Sequence, residues 1–300
     1  MDFSQASSEL KRLLSKVNPS ELQKVLKWIR DSDELDELLV DNRRVMLRSI
    51  ADDLRVSLPP DAMLPSEAAA HQKMQQRPQP TVHVDGFLYD DEQVDALCEE
   101  GTMSRTYCLS CGSQRTAPLD FLSHSFSVSE LQFLFQNVLP DLSGRTLVDV
   151  GSRLGAVLYG GYVYSSASQL LGLELSEDFV RLQNNMLQKY KLNDRVQVLQ
   201  ADVCTQDVLL QNTDVLVMNN VFEYFMEPSE QIKAWRFIMQ NLVKTGSLLV
   251  TVPSLQESLD ALQEALRPGW VEELPVDYDV YLGRDTDPEA LRQIHLYRVM

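Results

Sequence analysis

Residues 146–156 read Thr-Leu-Val-Asp-Val-Gly-Ser-Arg-Leu-Gly-Ala, and this stretch decides the fold. It starts as a short apolar run that contains Asp149, and it then passes through Gly151 and Gly155 into a further apolar segment. A strand that leads into a helix through glycines brings the backbone close to a ligand and points the helix N-terminus at it. Such a turn is typical of an open α/β sheet that binds a nucleoside at the carboxyl ends of its strands.

From Arg145 onward, strand-like and helix-like patterns alternate, which indicates a largely parallel sheet. Predicted strands cover 146–150, 170–174, 196–200, 214–218 and 247–252, with predicted helices near 155–167, 177–190 and 229–242. Two more strands are predicted at Tyr278–Leu282 and Ile294–Val299, the second of them antiparallel. The expected fold class is therefore α/β and Rossmann-like, with seven mostly parallel strands, an antiparallel edge pair and an N-terminal helical module.

Two further acids follow predicted strands. Glu174 ends the second strand, where a carboxylate can accept hydrogen bonds from both ribose hydroxyls. Asp202 follows the third strand, where it can bind an adenine amino group while Val203 packs on the ring. The G-x-G-x-x-G spacing of dinucleotide sites is missing. Asp149 would also repel a pyrophosphate but could bind an amino-acid ammonium, so the residues favour S-adenosylmethionine over a dinucleotide.

The part of the chain from Arg145 to Met300 resembles the class I S-adenosylmethionine-dependent methyltransferase superfamily. The family's first motif corresponds to Asp149–Gly155, its ribose acid to Glu174 and its adenine acid to Asp202. The resemblance implies that S-adenosylmethionine is the cofactor and that it is held by Asp149, Gly151, Ser152, Arg153, Gly155, Glu174, Asp202, Val203 and Asn219. Arg153 stands where the family has its middle glycine. An arginine there would either obstruct the donor's carboxylate region or bind that carboxylate, and both readings stay open.

The segment after the fourth strand reads Asn219-Asn-Val-Phe-Glu-Tyr-Phe225. It loosely resembles the disruptor-of-telomeric-silencing branch of histone lysine methyltransferases. In this superfamily the segment faces the transferred methyl group, so the resemblance implies catalytic positions at Asn219, Asn220, Glu223 and Tyr224. Glu223 and Tyr224 are candidates for a base or for acceptor-binding groups; a helix-start acid and a packed aromatic are the plainer interpretation.

The chain before the sheet divides by composition. Residues 1–57 are predicted to be a helical module, residues 58–80 a Pro-rich linker, residues 81–144 a helix and hairpin extension, and residues 145–300 the catalytic domain. Leu10, Leu13, Leu14 and Val17 form a helical apolar stripe, as do Leu22, Val25, Leu26 and Ile29. These stripes could cover the sheet, form a dimer or bind a partner. Ser127–Glu130 is a capping box that opens a further helix.

Cysteine and histidine usage suggests no metal site. Cys108 and Cys111 have the spacing of half a zinc site, but a second C-x-x-C pair is absent from the sequence. A reduced pair is the default interpretation, and His124 is interpreted as structural. Four cysteines in 300 residues do not resemble a disulfide framework, which favours a reducing compartment, cytoplasmic or nuclear.

Composition limits the function further. A net charge of −17 argues against a general nucleic-acid binder, which needs a basic footprint, and favours a basic peptide or protein partner. No apolar run approaches the roughly eighteen residues of a membrane span. The expected function is a methyltransferase that acts on a protein side chain. The alternatives are a small-molecule methyltransferase, a catalytically silent scaffold and, from the nucleoside-binding sheet alone, a dinucleotide-dependent oxidoreductase.

Overall fold

A seven-stranded mixed sheet forms the centre of the C-terminal part of the chain. The computed structural model describes residues 3–31, 33–58, 82–83, 85–100, 116–117, 124–223, 226–280 and 288–300. Two short strands, β1 (Val82–His83) and β2 (Thr116–Ala117), pair antiparallel. The main sheet consists of β3 (Thr146–Val150), β4 (Gln169–Glu174), β5 (Val196–Gln200), β6 (Val215–Asn219), β7 (Leu248–Val252), β8 (Val271–Leu274) and β9 (His295–Val299).

The strand order is β5-β4-β3-β6-β7-β9-β8. The first five strands in this order pair parallel, while β9 pairs antiparallel with both β7 and β8. The order reverses at β3, because the chain moves first to β4 and β5 and then returns to β6 on the other side. A reversal of this kind opens a crevice at the carboxyl ends of the strands, where ligands bind in open α/β sheets. The Rossmann-like fold class is confirmed.

Helices lie before, between and after the strands of the main sheet along the chain. Those described are α1 (Phe3–Leu14), α2 (Pro19–Asp31), α3 (Asp33–Ser57), α4 (Asp91–Glu99), α5 (Val128–Phe133), α6 (Ala156–Tyr164), α7 (Glu177–Tyr190), α8 (Asp207–Asn212), α9 (Pro228–Asn241), α10 (Leu255–Ala261) and α11 (Pro288–Leu291). A π-helical turn at Leu134–Val138 extends α5. The predicted capping box is confirmed, since the Ser127 hydroxyl accepts from the Glu130 amide and the Glu130 carboxylate accepts from the Ser127 amide. No helix within the described ranges is both long and apolar enough to cross a membrane.

One predicted strand was wrong. The edge strand lies at Val271–Leu274, whereas Tyr278–Val280 of the predicted strand has no regular structure. The edge strand contains Glu272 and Glu273 side by side, so its sequence lacks the apolar–polar alternation from which a strand is predicted. Both acids have partners on β9. Glu272 pairs with Arg298 at 2.6 Å, and Glu273 contacts the His295 ring at 3.0 Å. The predicted linker, apart from residue 58, lies outside the described residues.

The chain divides into two compact units, residues 1–46 and residues 47–300. In the first unit, α1 and α2 are amphipathic, and their larger apolar side chains Leu10, Leu13, Leu26 and Trp28 are 41–57% exposed. The Asn18 side chain accepts a hydrogen bond from the Ser20 amide at 3.1 Å and so caps the start of α2.

Residues 47–57, predicted to lie in the helical module, fall within the second unit. Leu47, Ile50 and Leu54 are fully buried there. The polar side of this segment is also attached, since the Asp53 carboxylate accepts from the Tyr190 hydroxyl and pairs with Lys189, both at 2.5 Å. Hydrogen bonds from Lys189 and Tyr190 lower the pKa of Asp53. The C-terminal part of α3 therefore belongs to the core of the second unit.

This assignment predicts unequal costs for two substitutions on one helix. Leu54→Ala should lower the free energy of unfolding by about 2–5 kcal/mol, because a fully buried leucine leaves a cavity. Val56→Ala, at a position 89% exposed, should change it by less than about 0.5 kcal/mol. Urea unfolding of the full chain followed by fluorescence measures both, and equal small effects would contradict the assignment.

Candidate functional site

A cavity of about 500 Å³ opens at the carboxyl ends of β3, β4 and β6, at the reversal of strand order. This volume is in the range of sites for small organic ligands. Its lining includes predicted cofactor residues from four separate parts of the chain: Asp149, Gly151, Ser152, Arg153, Glu174, Asp202, Val203 and Asn219. Asn220 also lines it. The fold thus brings these predicted positions together around one space.

The turn after β3 depends on two glycines in the left-handed region. Gly151 has φ +67°, and a Cβ there would lie 3.2 Å from the Val221 side chain. Gly155 has φ +85° and precedes the first turn of α6; it does not line the cavity. Arg153, between them, has φ +42°, a conformation that costs a non-glycine residue about 1–3 kcal/mol.

Asp149 is buried at the end of β3, with 4% of its surface exposed. Burial, and secondly the nearby Glu174 carboxylate, raise the pKa of Asp149 well above its usual value. Both effects disfavour the charged carboxylate. A cation placed in the cavity beside Asp149 would reverse this, which makes the position suited to an ammonium group.

Glu174 is also buried, but main-chain amides stabilise its charge. Its Oε2 accepts from the Arg153 amide and its Oε1 accepts from the Ser176 amide, both at 2.9 Å. Glu174 also lines the cavity, where a carboxylate can accept hydrogen bonds from ligand hydroxyls. The turn that carries Arg153 is thereby attached to the acid that ends the neighbouring strand.

Asp202 differs from the other two acids because it is exposed. Its Oδ1 accepts from the Cys204 amide at 2.8 Å and caps the short 3₁₀ turn Val203–Thr205. Val203 is buried beneath the cavity, and Cys204 also lines it. Burial, with a smaller contribution from Asp202, raises the pKa of Cys204 to about 11, so this thiol stays protonated at neutral pH.

The arginine at the middle glycine position folds toward α7. Its guanidinium carbon lies 4.3 Å from the centre of the Phe179 ring, a cation–π contact. Its main-chain amide makes the hydrogen bond to Glu174 described above. The two roles are separate, because the hydrogen bond needs no side chain.

The four predicted catalytic positions do not all face the cavity. Asn219 and Asn220 line it. The main-chain N–H of Asn220 donates to the Val252 carbonyl at 2.7 Å. Glu223 is absent from its lining, since its carboxylate accepts from the Phe222 amide and from the Ser258 hydroxyl, both at 3.1 Å. Tyr224 lies outside the described residues, as do Cys108 and Cys111.

Sequence reasoning missed part of the lining. His124, which was interpreted as structural, forms one wall with Ser125 and Phe126. Met226, Glu230 and Lys233 line another side from the start of α9. The residues at the start of α9 could have been predicted, because this helix begins shortly after the end of β6 at the crevice. The residues His124–Phe126 have no such signal in the nearby sequence. Among the described residues, no three His, Cys, Asp or Glu side chains are grouped as metal ligands would be.

Comparisons with known proteins give structural likeness without family assignment. No protein-family model matches the chain, and no curated protein matches it. An RNA methyltransferase of Salinibacter ruber in complex with S-adenosyl-L-homocysteine is 15% identical over 57% of this chain and 88% of that chain, with a TM-score of 0.36. A methyltransferase of Geobacter sulfurreducens is 16% identical over 58% and 77%, with a TM-score of 0.37.

A Methanococcus maripaludis protein described as an S-adenosyl-L-methionine-dependent methyltransferase is 21% identical over 45% of this chain, with a TM-score of 0.36. The matched region spans 59% of that protein, less than two thirds of its length. The shared region is thus only part of this chain, whose fold is defined by its own strand order.

The raised pKa of Asp149 predicts a stability gain on neutralisation. Because the folded protein holds the Asp149 proton more tightly than the unfolded chain does, stability falls as pH rises from the ordinary pKa of 3.8 to the raised value. Asp149→Asn should therefore raise the Tm of the ligand-free protein at neutral pH, by roughly 2–4 °C for each kcal/mol recovered. It should also flatten the pH dependence. Thermal unfolding from about pH 4 to about pH 8 tests this.

Asp202→Asn is the matched control for this experiment, because it neutralises an exposed acid that follows β5 of the same sheet and keeps a capping side chain. Its Tm should stay at the wild-type value. A lower Tm for Asp149→Asn than for the control would refute the assigned burial cost.

Proposed function

We propose that this chain is an S-adenosylmethionine-dependent methyltransferase. The observation that carries the proposal is the convergence of Asp149, Glu174 and Asp202 on one cavity at the reversal of strand order, beside a glycine turn. Three acids in this arrangement suit a ligand with an ammonium group, a ribose and an adenine. They do not suit the pyrophosphate of a dinucleotide, which two buried carboxylates would repel.

Each acid has a separate role in holding the donor. Burial disfavours the charged form of Asp149, and the ammonium of the methionine part would stabilise that form. Glu174, which lines the cavity at the end of β4, would accept hydrogen bonds from the ribose hydroxyls. Asp202 would accept from the adenine amino group, while the buried Val203 supports the ring. Gly151 keeps the floor of the cavity free of side-chain atoms.

Bound S-adenosylmethionine supplies an activated methyl group on a sulfonium, and the protein's task is to hold the acceptor in line with it. Positioning of this kind can provide most of a rate enhancement. Asn219 and Asn220 are the proposed residues at this position, since both line the cavity. Glu223 supports the segment through Phe222 and Ser258 and is not proposed as the base.

The proposed acceptor is a basic side chain of a protein. The chain carries 44 acidic and 27 basic residues, so its field attracts cationic partners. At the cavity, Phe222 and Phe126 provide aromatic surface and Glu230 provides a carboxylate. Aromatic faces and a carboxylate favour an ammonium acceptor over an anionic one.

Calorimetric titration tests donor binding directly. The full chain should bind S-adenosylmethionine and S-adenosylhomocysteine with micromolar affinity and should not bind NAD. Glu174→Ala should abolish binding, because it removes the ribose acceptor and leaves the Arg153 and Ser176 amides unpaired. Glu177→Ala, which removes an exposed acid three residues away, should leave affinity unchanged. Failure of the wild-type chain to bind either adenosyl ligand would overturn the proposed function.

Arg153 decides between a working donor site and a blocked one. Arg153→Gly should keep S-adenosylhomocysteine affinity within about threefold of wild type, because the guanidinium rests on Phe179 and glycine retains the amide that binds Glu174. Arg153→Ala is the matched variant, since it removes the same side chain but keeps the left-handed backbone strain. A loss of tenfold or more in both variants would show that the guanidinium contacts the donor. A large gain in both would show that it blocks the pocket.

A further inference from the structure

One wall of the cavity comes from residues that precede the sheet. His124, Ser125 and Phe126 line it, and Phe126 is 2% exposed. On the side of the strand ends, the Asn219 side-chain amide donates to the His124 carbonyl at 2.6 Å. The wall is therefore joined to the segment that we place at the methyl-transfer position.

The opposite side of the wall is held by a fully buried carboxylate. Asp85 Oδ1 accepts from the amides of Phe87 and Leu88, both at 3.0 Å, and so closes its own turn. Asp85 Oδ2 accepts from the Ser125 amide at 3.2 Å. A buried charge persists only where hydrogen bonds compensate it, and one of these three bonds reaches the cavity wall.

The turn also approaches the wall so closely that an added side chain would crowd it. A Cβ at Gly86 would lie 3.2 Å from the Ser125 carbonyl oxygen and 3.3 Å from the Ser127 nitrogen. On its other side, the Phe87 ring lies 6.0 Å from the Tyr159 ring, and Tyr159 packs under the glycine turn at Gly155. The turn thus connects the wall with the helix that follows the donor-binding turn.

We propose that Asp85 is a positioning residue of the donor site, whose carboxylate fixes the His124–Phe126 wall against the cavity. None of the four residues Asp85–Leu88 lines the cavity. Their effect on the donor passes through Ser125. This inference rests on the proposed function, since it assigns the cavity to the adenosyl donor.

Asp85→Asn separates the two jobs of the carboxylate. The amide oxygen can still accept from Phe87 and Leu88, but the amide NH₂ then faces the Ser125 N–H, so that a donor meets a donor. We expect S-adenosylhomocysteine to bind about tenfold more weakly, or weaker still, in calorimetry. Amide hydrogen exchange measured by mass spectrometry should become faster in the peptide that contains residues 124–127.

Asp90→Asn is the matched control. The Asp90 carboxylate accepts from the Gln93 amide at 2.9 Å at the start of α4, and asparagine can replace it there. Donor affinity and exchange at residues 124–127 should both match wild type. A residue with a merely structural role would change Tm without changing the exchange of this one peptide.

Gly86→Ala tests the same contact without removing a charge, and it carries the test if Asp85→Asn fails to fold. Its added methyl group pushes on Ser125 and Ser127, so it should give the same pair of changes. If wild type binds S-adenosylhomocysteine and both variants bind it equally well, the positioning role is refuted. If wild type does not bind it, the proposed function and the donor role of Asp85 fail together, and exchange alone then decides whether Asp85 holds the wall.

Discussion

Asp149 and Glu174 end adjacent parallel strands, and both carboxylates are shielded from water. Two like charges in such a place are costly, and within the described residues the structure reduces this cost unequally for the two acids. Glu174 receives two main-chain amides, one of which comes from the turn after β3. Asp149 is buried and lies near the negative charge of Glu174, and both effects raise its pKa. The fold therefore contains one carboxylate whose charge is stabilised by main-chain amides and one whose charged form a cation would stabilise.

This asymmetry follows from the turn between β3 and α6. The left-handed conformations at Gly151, Arg153 and Gly155 fold the chain back so that the Arg153 amide points at Glu174. An extended connection would direct that amide elsewhere, and Glu174 would lose one of the main-chain hydrogen bonds that stabilise its charge. The backbone of this turn is strained at Arg153. The hydrogen bond from the Arg153 amide to the buried Glu174 carboxylate offsets part of that strain.

Much of the sheet and three of the site acids could be predicted because each signal is local. Strands β3, β4, β6 and β7 are short, mainly apolar runs, β5 alternates between apolar and polar residues, and the acids lie close to the strand ends. The edge strand β8 was missed because Glu272 and Glu273 are stabilised by partners on β9, a relation between distant residues. The wall at His124–Phe126 was missed for the same reason. Its place depends on Asp85 and Asn219, which are 40 and 95 residues away from the residues they bind.

The segment after β6 is fixed from several sides, which bears on how an acceptor would be chosen. Asn220 is held by the Val252 carbonyl, and Glu223 joins Phe222 to Ser258 on α10. The Phe222 ring also meets the Trp235 ring edge-on at 5.7 Å between centroids.

A segment after β6 that is held by these contacts would have little freedom to adapt to different acceptors. Discrimination must then come from side chains around it, and Glu230 and Lys233 are the charged groups that α9 contributes to the cavity lining. One carboxylate and one ammonium on the same helix face, three residues apart, can bind one cationic acceptor only when its charge lies nearer Glu230 than Lys233. In the proposed methyltransferase, the approach direction of the acceptor, rather than the shape of this segment, would therefore set the selectivity.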